Sequence, residues 1–94
     1  MLRSTHFEVF GKVQGVFFRK HTEKQANLMA LKGWVQNTPR GTVVGVIQGG
    51  QDAVESMKDW LSTKGSPKSR IDKCVFTMEK SIAKCEYEKF LIRR

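Results

Sequence analysis

The chain has 94 residues, 39% hydrophobic and 28% charged, with a formal net charge of +8. That length has room for one hydrophobic core, burying roughly two-thirds of the unfolded chain's surface, and the apolar content excludes a disordered polymer. A single domain over residues 1–94 is therefore expected, and the excess of Lys and Arg favours an anionic partner without choosing among nucleic acid, membrane surface and phosphorylated small molecule.

In chain order, Phe7, Val9 and, after Gly11, Val13 alternate with Glu8, Phe10 and Lys12, the period of a strand with one buried face, ending near Gln14 and Gly15. From Phe18 to Lys32 the spacing turns helical. Phe18, Thr22, Ala26, Met29 and Ala30 fall on one side, and Gly33 is the expected stop. Residues 33–37 and 42–48 read as a β-hairpin, since Thr38-Pro39-Arg40-Gly41 places proline second and glycine fourth, as a type I turn prefers. Asp52 and Glu55 open a second helix whose stripe is Val54, Met57, Trp60 and Leu61, closed by Gly65 and Pro67. Two further strands are expected around 73–78 and 86–92. This order fits an α+β, ferredoxin-like split β-α-β sandwich: a mostly antiparallel sheet of four to five strands with two helices on one face.

Gly11-Lys12-Val13-Gln14-Gly15-Val16-Phe17-Phe18-Arg19 passes from a strand end into a helix start, where unpaired N–H groups and the helix dipole attract negative charge. Arg19 adds a permanently charged fork suited to two phosphate oxygens. The alternative is that Gly15 simply makes a tight turn and Arg19 is solvated. A Walker loop is excluded, because no Gly-Lys-Ser or Gly-Lys-Thr follows the glycines, and the dinucleotide fingerprint lacks its glycine spacing.

In this topology the first two strands are parallel with the third between them, so Asn37 and the loop 14–19 lie on one sheet edge, roughly 10 Å apart. A phosphate and a water fit such a gap. On spacing alone, Asn37 reads more readily as a residue shaping the turn before Pro39.

Other chemistry-bearing residues have plainer explanations. His6 and His21 lack a carboxylate at motif spacing, and Trp34 and Trp60 read as core or hairpin anchors. Cys74 and Cys85 suggest neither a disulfide framework nor a zinc site, and free thiols agree with a cytoplasmic protein. The first ten residues lack an apolar stretch of signal-peptide length.

Two stretches together resemble one family. Gly11-x-Val13-Gln14-Gly15-Val16-x-Phe18-Arg19 resembles the first acylphosphatase signature, and Gly33-Trp34-Val35-Gln36-Asn37-x-x-x-Gly41-x-Val43, with Gly49 five residues on, resembles the second. The likeness is greatest to the stand-alone animal enzymes. It implies hydrolysis of the carboxyl-phosphate bond of small acyl phosphates by a monomer that needs no metal or cofactor. It also implies that the Arg19 guanidinium and backbone amides of Gln14, Gly15, Val16, Phe17, Phe18 and Arg19 hold the phosphoryl group, while Asn37 orients the water. Thr38 would have a supporting role. The ending Phe90-Leu91-Ile92-Arg93-Arg94 departs from the aromatic finish of familiar animal forms.

Two other classes remain open. RNA recognition motifs share the topology, but they carry aromatics on the third strand, where residues 42–48 have none. An inactive fold that senses a phosphorylated ligand would keep Arg19 without turnover.

Overall fold

Apolar residues at alternate positions give each central strand one face to bury, and the two amphipathic helices supply the cover. The computed structural model describes residues 1–93. Its elements are β1 (Leu2–Lys12), α1 (Phe18–Leu28), β2 (Lys32–Asn37), β3 (Val43–Gly50), α2 (Gln51–Thr63), β4 (Arg70–Ile82) and β5 (Phe90–Arg93). The five strands form one sheet in the order β4-β1-β3-β2-β5. All neighbours are antiparallel except β2 and β5. This is the expected ferredoxin-like arrangement, with β5 as the extra strand.

The register explains the core. Val9 faces Val43 across β1 and β3, Phe7 and Val35 both face Gly45, and Ile47 opposes Gly33. Phe7, Val9, Val35, Val43 and Ile47 therefore share one sheet face, where they pack with Phe18 and Ala26 of α1 and Val54, Met57 and Leu61 of α2. Helix α1 lies over β2 and β5, and α2 over β1, β3 and β4.

Three boundaries differ from the sequence reading. Helix α1 was expected to reach Lys32 and stop at Gly33, but it ends at Leu28 with Met29 as its cap. Ala30 turns left-handed at φ 58°, freeing Leu31 to enter the core at 1% exposure. Gly33 instead sits inside β2, where a Cβ would lie 1.9 Å from the Val46 carbonyl oxygen. It is glycine because the strands approach there. Helix α2 starts from Gly50 without a side-chain cap, leaving Asp52 in the first turn as a charge facing the dipole. The last two strands divide unevenly, with β4 lengthened by pairing along nearly all of β1 and β5 limited to four residues beside β2.

Candidate active site

The turn between β1 and α1 leaves its amides free by construction. Gly15 has φ 74° and Phe17, the residue before α1, has φ 57° and ψ 27°. Left-handed residues in such a turn can bring successive N–H groups into one concavity, a geometry that favours anions. No side chain caps α1, and its first turn carries no acidic residue. The helix end is thus electropositive, and Arg19 in that first turn adds to it. A left-handed aromatic residue costs about 1–2 kcal/mol, so the surrounding packing must hold Phe17 there. The anchors are its neighbours: Val16 and Phe18 are buried, while Phe17 itself is 76% exposed.

Arg19 is oriented from the far side of the sheet. Its Nη1 donates to the carbonyl oxygen of Arg93 at the end of β5, 3.3 Å away. The C-terminal strand, which the sequence left as a point of departure, thus reaches the loop.

Asn37 ends β2 two residues beyond Val35, so strand alternation turns it to the helix-covered face. Its Oδ1 is buried and accepts no hydrogen bond from any described residue. Together Gln14, Gly15, Phe17, Phe18, Arg19 and Asn37 line one cleft of about 450 Å³, which also touches Val13, Lys20 and Ile92. Of the residues singled out in the sequence, Val16 lies beneath the loop in the core and Thr38 lies outside the cleft.

Sequence reasoning missed how the loop is fastened. Gln14 Nε2 donates to the carbonyl oxygens of Thr38 and Thr42, at 2.8 and 2.9 Å. These carbonyls belong to the hairpin turn that follows Asn37, so one side chain ties the two halves of the cleft together. The turn is itself cross-braced. Thr38 and Thr42 hydroxyls lie 2.6 Å apart, and Thr42 Oγ1 donates to Glu8 Oε2 at 2.6 Å. Arg40 Nη2 also donates to Glu8 Oε2, at 2.7 Å. The Thr42 hydrogen bond, then Arg40, hold the Glu8 carboxyl below its ordinary pKa.

The discounted residues stay outside the cleft. His6 is on the open sheet face beside Trp34 and Thr77, and His21 lies on α1 behind the loop. Trp60 packs on Phe18 with ring centroids 5.9 Å apart, whereas Trp34 is on the open face under the Arg93 guanidinium at 4.2 Å. Burial pushes the Cys74 thiol up to about 11, away from reactive thiolate character. Among the described residues no group of three or more His, Cys, Asp or Glu could hold a metal ion.

The fold and cleft define a class: a ferredoxin-like domain with an amide-rich, arginine-bearing turn facing an asparagine across a sheet edge. The acylphosphatase family model matches residues 5–92. Human acylphosphatase-2 is 55% identical over 92 residues, covering 98% of this chain and 93% of the relative. Human acylphosphatase-1 is 56% identical over 91 residues, covering 97% and 92%. The crystal structure of acylphosphatase from Bacillus subtilis superposes with a TM-score of 0.88 at 32% identity, covering 100% of both chains. This chain belongs to the acylphosphatase family.

Proposed function

We infer that this chain is an acylphosphatase, hydrolysing acyl phosphates to a carboxylate and inorganic phosphate, with Arg19 and the loop amides of residues 14–19 holding the phosphoryl group and Asn37 orienting the attacking water. The observation that carries this is the single cleft shared by Gly15, Phe17, Arg19 and Asn37. Water oxygen forms the new bond to phosphorus in line with the departing acyl oxygen. The P–O bond to that oxygen breaks, its electron pair leaves with the carboxylate, and the water oxygen joins the phosphate, keeping one of its protons and giving up the other.

The sparse site suits this chemistry. A carboxylate is already a good leaving group, so no general acid is needed. The demand is to stabilise charge on the phosphoryl oxygens as the bond stretches. Fixed N–H donors and one guanidinium meet it, each donor being worth about 3 kcal/mol in a comparable site. An amide that both donates and accepts can hold a water in place, and the buried, unpartnered Oδ1 of Asn37 is an acceptor suited to that task.

The protein acts as one domain, as a monomer in the cytoplasm, on small molecules rather than nucleic acid. Both cysteines are free. Exposed apolar residues such as Leu28, Met78 and Leu91 are scattered, and the edge strand β4 carries an irregularity at left-handed Met78, φ 53°, where its register against β1 shifts. No helix of the described residues is long and apolar enough to cross a membrane. On the sheet face away from the helices, β3 carries Val44, Val46 and Gln48 rather than aromatics, Val46 and Gln48 are buried there, Gln48 bonding Glu86, and cations cover one face of Phe10 and of Trp34.

The test is hydrolysis of benzoyl phosphate with excess chelator. Turnover should be independent of metal. Arg19→Gln should lose phosphate affinity and activity, by at least about a hundredfold in kcat/KM. Asn37→Ala should lose turnover yet still bind phosphate. A parent chain without turnover, or an Asn37→Ala variant with full turnover, overturns the assignment.

A further inference from the structure

Phe17 is held in a left-handed conformation, yet its ring contributes nothing to the core. It is 76% exposed between two buried neighbours. The backbone has a reason to be there in the proposed phosphate loop. The ring needs a separate one. It stands as a wall between two hollows, the cleft already described and a second, mostly apolar groove of about 310 Å³. That groove is lined by Gly15, Val16, Phe17, His21, Pro67 and Lys68. Its volume is at the lower end of the range for small-molecule sites.

The direction of the groove is set by the sheet. Asn37 ends β2, on one side of β1, whereas Pro67 and Lys68 precede β4, on the other. The loop 14–19 follows β1 and lies between them. In an in-line displacement the water and the leaving group occupy opposite poles of the phosphorus. With the water at Asn37, the acyl oxygen points away from β2, toward the ring of Phe17 and the groove beyond it.

We propose that this groove is the acyl subsite, in which the Phe17 ring packs against an aromatic or extended apolar acyl group while the loop holds its phosphate. This rests on the assignment of the water to Asn37. A planar acyl group gains contact with the ring on one side and the Pro67 wall on the other. A two-carbon acyl group offers far less surface to either. The enzyme should therefore favour aryl over short acyl phosphates by more than their intrinsic reactivity, and that preference should reside in the side chain of residue 17 rather than its backbone.

Phe17→Asn separates the two roles. Asparagine enters the left-handed region more readily than phenylalanine, so the turn is preserved or relaxed while the ring is removed. The readout is the ratio of kcat/KM for benzoyl phosphate to that for acetyl phosphate. Any change in the loop's hold on phosphate is common to both substrates and cancels, as does their intrinsic reactivity when variant is compared with parent. The ratio should fall about five- to tenfold, the discrimination expected for losing one aromatic contact. Phe17→Leu should recover part of it. A ratio unchanged within twofold in Phe17→Asn, with the variant folded by circular dichroism, overturns the subsite. Failure of the water assignment is seen separately, as retained turnover in Asn37→Ala.

Discussion

Replacing Gln14 by Leu removes the side-chain hydrogen bonds that tie the loop to the hairpin. The size of the effect follows from what the two acceptors keep. The Thr38 carbonyl still accepts from Gly41 N at 3.2 Å, and the Thr42 carbonyl still accepts from Thr38 N at 2.9 Å. Neither is orphaned, so the loss is that of two net hydrogen bonds, about 2 kcal/mol, without the larger penalty for a stranded buried acceptor. For a domain of this size each kcal/mol moves Tm by about 4–8 °C, which predicts a fall of about 8–16 °C by differential scanning calorimetry. Turnover should fall further than stability alone requires, because the proposed mechanism needs the loop amides and Asn37 in register for in-line attack. A displacement near 1 Å costs about a hundredfold.

Gln14→Glu sharpens the test. Its carboxylate would face two acceptor oxygens, which disfavours the charged form and raises its folded pKa. The folded protein then binds the proton more tightly than the unfolded chain. The protonated carboxyl has one donor where the amide has two, so stability is highest, about one hydrogen bond short of the parent, below the unfolded value of about 4.3. It falls further as pH rises from there through the raised folded value. A Gln14→Leu variant within about 2 °C and about twofold in kcat of the parent, on scales of about 8 °C and a hundredfold, refutes the tether.

Two further outcomes are expected. Glu8→Gln should cost about 1 kcal/mol at neutral pH, since Arg40 is largely exposed and its pairing is screened. Because the folded pKa of Glu8 is lowered, its contribution is complete above the ordinary value of 4.5 and lost as pH falls through the lowered one. Urea midpoints between pH 7 and 3 should thus converge for parent and variant, and parallel profiles would contradict the Thr42 and Arg40 bonding. Gly33→Ala forces a Cβ to 1.9 Å from the Val46 carbonyl at φ 136°. It should destabilise by about 3 kcal/mol or more, and an unchanged urea midpoint would show that β2 and β3 have slack that the register denies.

Much of the site was legible because its parts are local. Residues 11–19 carry a strand end, a glycine and an arginine within nine positions, and a helix N-terminus follows from spacing alone. The hairpin turn at 38–41 is equally local, and the hydrogen bond from Gly41 N to Thr38 O closes it. The end of α1 was misplaced for the converse reason. Met29 and Ala30 continue the helical stripe, but the sheet takes Leu31 into the core, and the local preference for helix yields to that burial.

The sequence by itself determined the strand and helix periods, the anion-attracting turn, and the presence of Arg19 and Asn37 at the ends of their elements. Tertiary structure alone decided how they are joined. Gln14 reaches Thr38 and Thr42, 24 and 28 residues away, and Arg19 reaches Arg93, 74 residues away. Such pairings depend on sheet order and on which face each strand turns inward, and neither leaves a local period to read. The same order puts Asn37 and the Phe17 groove on opposite sides of one loop, because β2 and β4 flank the sheet's centre on opposite sides.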